Sequence, residues 1–129
     1  MTTLFTKIIT GEIPCHKVAE NDKFLAFLDI MPLRLGHTLV IPKVEVDYLF
    51  DIEDELLGEM IIFSKLVAKK IKVSFPCNRV GVTVIGLEVP HAHIHLIPIN
   101  VLDDMSFSKE KLSLSSEELN SIALKIAES

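Results

Sequence analysis

Short runs that alternate apolar and polar residues predict strands in the first third of the chain. Two such runs, Lys17–Glu20 and Lys23–Asp29, flank the turn residues Asn21–Asp22, a pattern typical of a β-hairpin. A third run, Thr38–Ile41, begins after a loop that contains Pro and Gly, and Pro42 ends it. These patterns predict three successive strands.

Longer stretches have the apolar spacing of helices. Leu4–Ile9 is a short candidate that stops at Gly11. A long helix is predicted over residues 54–73, with acidic residues at its start and lysines at its end, an order that complements the helix dipole. Its expected buried face consists of Leu56, Leu57, Met60, Ile61, Phe63, Leu66, Val67 and Ile71.

A third helix is predicted near the end of the chain. Ser115–Glu118 has the pattern of a capping box, and Leu114 and Leu119 are placed as a hydrophobic staple. The helix is expected to continue to about Ala127.

The most informative pattern is the run His91–Pro98, which contains three of the five histidines. As a β-strand it places His91, His93 and His95 on one face, roughly 6.6 to 6.8 Å apart along the strand, so that their ring nitrogens can converge on a small anion or a metal ion. The β-branched run Val80–Gly86 is its expected antiparallel neighbour.

A single histidine on an apolar strand is usually a hydrogen-bonded structural residue. Three alternating imidazoles are harder to explain in that way, because each ring brings donors and acceptors that burial leaves unsatisfied unless a polar group lies between them. The alternation therefore favours a chemical site.

The composition of the chain limits the kinds of protein in which this site can occur. The chain has 129 residues, 49% of them hydrophobic and 24% charged, as in an ordinary single domain. A net charge of -5 argues against a nucleic-acid binder, which normally displays clustered Lys and Arg. Cys15 and Cys77 are too few for a disulfide framework, and the sequence predicts neither a membrane span nor a signal peptide. A cytoplasmic protein is expected.

The histidine run resembles the signature of the histidine triad (HIT) family, His-x-His-x-His followed by apolar residues, in its Hint-like branch. Phe5–Pro14, Phe27–Ile30 and Gly36–Lys43 resemble other blocks of the family, in the same order. The resemblance covers about residues 3–100 of a single domain, 1–129, and leaves an extension, 101–129, unmatched.

The resemblance implies an α+β fold, with an antiparallel five-stranded sheet, one long helix and short terminal helices, paired into a homodimer. It also implies a hydrolase that acts on the α-phosphate of nucleoside 5'-phosphate derivatives, with purine nucleoside phosphoramidates as the first expected substrates. No cofactor is expected, and the departure from the family's zinc motif at Thr3 and Thr6 predicts no metal. His93 would form a nucleotidyl-histidine intermediate that water then hydrolyses. Neutral imidazole is a competent nucleophile near pH 7, and flanking donors from His91 and His95 would stabilise phosphoryl charge by about 2.7 to 4 kcal/mol each.

Further site residues follow from the same resemblance. Asp29 takes the position that binds the ribose hydroxyls, although a turn aspartate is the simpler interpretation of the residue alone. His37 is either a partner of the triad or a solvated loop histidine. The residues expected around the nucleobase, which composition alone would assign to the core, are Leu4, Phe5, Ile8, Phe27 and Ile30.

Two departures from the family pattern bear on substrate and metal. Many members carry a CxxC motif that, with two histidines, forms a structural zinc site, but the corresponding residues here are Thr3 and Thr6. Members with phosphoramidase activity often have a hydroxyl residue after Gly-Gln, before the triad, where this chain has Glu88. A carboxylate there either weakens phosphate binding or recognises an amine on the leaving group.

Three alternatives stay open beside the phosphoramidase hypothesis. The first is a dinucleoside polyphosphate hydrolase. The second is a metalloprotein with the three imidazoles as ligands. The third is a nucleotide-binding protein without catalytic activity.

Overall fold

The structure, a computed structural model, describes residues 3–129 as a five-stranded sheet with three α-helices. The helices are α1 (Leu4–Ile9), α2 (Asp54–Ser74) and α3 (Ser116–Ala127). The strands are β1 (Lys17–Glu20), β2 (Phe24–Leu28), β3 (Thr38–Pro42), β4 (Arg79–Thr83) and β5 (Ile94–Ile99). Single 3₁₀ turns occur at Leu49–Asp51 and Leu102–Met105.

All neighbouring strands are antiparallel, in the order β1-β2-β3-β5-β4. This arrangement confirms the predicted α+β fold and the pairing of the histidine-bearing strand with the strand before it. The capping box is also present at α3, where the Ser115 hydroxyl accepts from the Glu118 N–H at 3.1 Å. No helix among residues 3–129 has the length and apolar character needed to cross a bilayer.

Every residue of β2 is buried, because both faces of the sheet are covered. Phe24, Ala26 and Leu28 point toward the main core, which α2 and α3 close. Leu25 and Phe27 point the other way, into a smaller cluster with Phe5 of α1, Leu39 and Ile41. His95 lies opposite Leu39 in the β3–β5 register, so this ring shares the face that α1 partly covers.

Two predictions about the extent of these elements are wrong. The strand expected over residues 80–86 ends at Thr83. The buried face of α2 is narrower than predicted, since Ile61 and Leu66 are about half exposed.

The predicted histidine strand is also shorter than expected. Pairing with β3 begins at Ile94, so His91 and His93 precede the strand and only His95 belongs to it. Pro90 has no N–H to contribute to a ladder, and the Ala92 N–H donates to the Val46 carbonyl at 2.6 Å instead. The three rings therefore do not share one strand face.

Candidate active site

A chain of hydrogen bonds fixes the ring hydrogens of two buried histidines. The Leu33 N–H donates to His37 Nδ1 at 3.0 Å, so Nε2 carries the hydrogen in the neutral His37 ring. His37 Nε2 lies 2.9 Å from His95 Nδ1 and donates to it. His95 Nδ1 is thus an acceptor, and its Nε2 bears an N–H that is free to act as a donor.

Local backbone geometry delivers His37 to this position. Gly36 has a φ of +95°, in the left-handed region that favours glycine, and it turns the chain into β3. His37 follows directly and is almost completely buried. It is therefore a partner of the triad and not a solvated loop histidine.

His93 is oriented by the backbone just before it. Its Nδ1 donates to the His91 carbonyl at 2.7 Å, which leaves Nε2 with the lone pair in the neutral ring. The His93 and His95 ring centroids are 5.0 Å apart. A lone pair on one ring and an N–H on the next are thus neighbours in one site.

His91 has a different environment. Its Nε2 donates to the Pro42 carbonyl at 2.9 Å, and its Nδ1 lies 2.9 Å from the Thr3 hydroxyl. Because both ring nitrogens of His91 already have hydrogen-bond partners, His91 does not flank the substrate as a free donor, contrary to the expectation from the resemblance. Its carbonyl holds His93, and its ring fastens the loop to β3 and to the start of α1.

Burial keeps the histidine relay neutral. It lowers the pKa of His37 to about 3 and that of His95 to about 4. Neighbouring positive charge adds to the effect, from His95 and Lys111 on His37 and from His93 on His95. Burial also lowers the pKa of His91, against the hydrogen bond to Pro42.

Asp29 lies just after β2, beside the relay. One carboxylate oxygen accepts from the Met31 N–H at 2.9 Å, and the other is 3.6 Å from His37 Nε2. Burial raises the pKa of Asp29, and the Met31 hydrogen bond and Lys111 oppose this. The carboxylate is therefore both a turn residue and a member of the site.

The apolar residues expected around a base fall into two groups. Phe5 and Phe27 are buried in edge-to-face contact at 5.6 Å, with Ile8 packed against them. The Phe5 ring also lies 5.1 Å from the His93 ring. Leu4 and Ile30, by contrast, are 48% and 66% exposed, so they form an outer rim at most.

The site does not suit a metal ion. His37, His95 and Asp29 have ligand atoms within 4.8 Å of one another, a spacing that a cation can bridge. A cation on His37 Nε2 would, however, move the hydrogen to Nδ1, directly against the buried N–H of Leu33. The three triad rings do not fit either, since both nitrogens of His91 have other partners.

The residues at the position of the family's zinc site form a hydrogen-bonded cluster. Thr6 donates its hydroxyl hydrogen to Glu45 at 2.7 Å, and the same carboxylate oxygen accepts from the Thr3 N–H at 2.7 Å. Hydroxyls lack the thiolate charge on which zinc sites depend. Hydrogen bonds among these side chains thus connect the segments that a zinc ion would otherwise hold together. The set consists of Thr3, Thr6, Glu45 and His91, and it is not suited to bind zinc.

Glu88 is exposed in the loop before the histidines. Its charge adds to the rise in the pKa of Asp29, which places the two carboxylates within electrostatic reach of each other.

Sequence reasoning missed the contribution of the C-terminal extension. The Phe107 ring packs against His95, with centroids 4.9 Å apart, and the charge of Lys111 acts on both His37 and Asp29. A single aromatic residue in a polar segment gives no periodic signal, so only the folded chain reveals this contact.

Comparison with known proteins agrees with the fold. The family model of the HIT domain matches residues 10–101, and the chain belongs to this family. It is 35% identical to an uncharacterized HIT-like protein of Borreliella burgdorferi, over 96% of this chain and 95% of that protein. It is 37% identical to an adenosine 5'-monophosphoramidase of Schizosaccharomyces pombe, over 76% of this chain and 74% of that enzyme. The crystal structure of a Hit-like protein from Bartonella henselae superposes with a TM-score of 0.84 at 34% identity, covering 98% of this chain and 95% of that one.

Proposed function

We propose that this HIT protein hydrolyses nucleoside 5'-phosphoramidates, with purine nucleosides as the preferred class, through a nucleotidyl-histidine intermediate on His93. The observation that carries the proposal is the pairing of hydrogen-bond roles: His93 presents Nε2 as a lone pair, and the adjacent His95 presents Nε2–H as a donor. A nucleophile beside a hydrogen-bond donor that stabilises developing phosphoryl charge is the arrangement that such a displacement requires.

In the first step His93 Nε2 attacks the α-phosphorus, and the bond from phosphorus to the leaving nitrogen breaks. The electron pair of that bond stays on the amine, which takes up a proton from water. The His95 N–H donates a hydrogen bond to the phosphoryl oxygens and stabilises the charge that develops on them. The product is a phosphorus–nitrogen bond to His93.

In the second step water attacks the same phosphorus and the bond to His93 breaks. The electron pair of the broken bond returns to His93 Nε2, and the proton of the attacking water passes to solvent. The nucleoside monophosphate leaves, and His93 returns to its starting state. Two displacements thereby replace one difficult reaction.

The other residues bind and orient the substrate. The free side of the Asp29 carboxylate can accept from the ribose hydroxyls, and Phe5, Ile8 and Phe27 provide an apolar wall for the base. His91 contributes through its carbonyl, which holds His93 in the attacking orientation.

The test is release of AMP from adenosine 5'-phosphoramidate by metal-stripped protein. Wild type should turn over, His93→Ala should lose activity by on the order of 10³-fold or more, and His16→Ala, a histidine outside the site, should stay active. Mass spectrometry of quenched wild type should find one adenylyl group on His93.

Other results would select an alternative. Turnover only of dinucleoside polyphosphates would move the assignment to that class of hydrolase. Activity that depends on added metal would contradict the mechanism, and tight nucleotide binding with no turnover would indicate a binding protein.

We also propose that the protein works as a cytoplasmic homodimer on small nucleotides, without nucleic acid or membrane partners. Free Cys15 and Cys77 suit a reducing compartment. Exposed apolar side chains on α2 support the dimer.

A further inference from the structure

The C-terminal extension returns across the face of the sheet that carries the histidines. Two contacts fasten it to the loop between β2 and β3: Asp104 pairs with Arg34 at 2.5 Å, and the Leu112 N–H donates to the Pro32 carbonyl at 2.9 Å. The segment between these anchors, 105–111, is thereby held over the histidine relay.

Phe107 lies in the middle of this segment and covers the relay. Its ring meets His95 with centroids 4.9 Å apart and His37 at 6.1 Å, both in edge-to-face orientation. Its carbonyl accepts from the Lys111 ammonium at 2.7 Å, which fixes the backbone of the segment around the ring. An aromatic ring in this position replaces water as the neighbour of both imidazoles.

We infer that Phe107 is a positioning residue for the proposed reaction, which excludes water from the His37–His95 hydrogen bond and so keeps His95 in the state that donates from Nε2. The inference rests on the proposed function and adds the extension to the reaction site.

The relay needs this protection because one added proton would break it. If His95 gained a hydrogen at Nδ1, that hydrogen would face the one on His37 Nε2. His37 would then have to carry its hydrogen at Nδ1, against the Leu33 N–H. Protonation therefore destroys the chain of donors, and the rate should fall as His95 becomes charged.

The charged and titratable groups around the pair come from three elements. Asp29 approaches His37 from the end of β2, His93 lies beside His95 from the loop before β5, and Lys111 belongs to the extension. The negative charge of Asp29 favours protonation of the His37–His95 pair, whereas positive charge on His93 and Lys111 opposes it. Phe107 adds no charge, so its removal acts through water alone.

The experiment compares Phe107→Ala, Phe107→Leu and Leu102→Ala. Phe107→Ala should admit water, and the acid limb of the pH–rate profile should then move up by about one pH unit or more as burial is relieved. Near pH 5 kcat should fall severalfold with little change in KM. Phe107→Leu should restore most of the wild-type profile, and Leu102→Ala, which alters an 89% exposed residue of the same extension, should match wild type.

A second readout does not depend on the reaction. The ring resonances of His37 and His95, followed by NMR from pH 3 to 8, should titrate at higher pH in Phe107→Ala than in wild type. Unchanged titration in a folded Phe107→Ala would overturn the inference, as would a Phe107→Leu profile equal to that of Phe107→Ala. If wild type hydrolyses no nucleotide but the titration still moves, the proposed function fails and the shielding role stands.

Discussion

At the scale of single residues, the chemistry of the site depends on which hydrogen each ring nitrogen carries. The sequence predicts the residue types, because three alternating histidines are costly without a polar purpose. It does not predict their partners. The hydrogen on His37 is set by the backbone of Leu33, and the orientation of His93 by the carbonyl of His91. Both partners are main-chain groups, which every residue has, so no side-chain pattern encodes them.

Glu88 gives a prediction at this scale. The charge of its carboxylate contributes to the raised pKa of Asp29, so it is close enough to act on a leaving group that carries positive charge. Glu88→Ser should therefore lower kcat/KM for phosphoramidates of charged amines, by roughly 5-fold for a loss of about 1 kcal/mol from an exposed ion pair. The rate for the uncharged ammonia-derived phosphoramidate should change less.

The measurement is a series of adenosine phosphoramidates whose leaving amines differ in side-chain charge. Glu128→Ser, which changes an exposed carboxylate at the end of α3, is the control. An unchanged rate order in Glu88→Ser would contradict a role in leaving-group recognition.

At the scale of elements, the sequence predicts most boundaries but not every exposure. The capping box fixes the start of α3, and the turn residues fix the hairpin. The exposure of α2 is less predictable, because apolar spacing shows which residues share a face and not which face meets the sheet. Ile61 and Leu66, which the spacing predicts to be buried, accordingly lie outside the observed buried face.

The attachment of α1 gives a prediction at this scale. The Thr3 hydroxyl accepts from the Thr6 N–H at 3.0 Å as the helix cap, and it also bonds His91 Nδ1 in the buried cluster. Thr3→Val keeps the shape and removes both contacts. The free energy of unfolding should drop by about 1 to 3 kcal/mol, from the lost cap and a buried ring nitrogen without a partner.

Urea unfolding at pH 7 measures the loss, and Thr3→Ser, which retains the hydroxyl, is the matched control. Thr3→Ser should stay much closer to wild type than Thr3→Val. Equal stability of the two variants would show that the hydroxyl does not anchor α1.

At the scale of the whole molecule, the exposed side of α2 carries an apolar strip. Ile62, Leu66 and Val73 follow one line along this side of the helix. The opposite side of α2 already packs, together with α3, against the main core. An exposed apolar strip that the chain's own core does not use is typical of a surface that pairs with a second copy.

We therefore expect the wild type to have twice the chain mass of 14.4 kDa in light scattering at micromolar concentration. Ile62→Lys combined with Leu66→Lys places two like charges in the strip, and burying them unpaired costs several kcal/mol, so this variant should run as a monomer. Leu124→Lys changes an equally exposed leucine on α3 and should remain dimeric. A monomeric wild type would contradict the pairing, whereas a dimer that survives both lysines would move the interface away from α2. Because the histidines lie on the opposite face of the sheet from α2, His93-dependent turnover in the monomeric variant would further show that one chain contains a complete site.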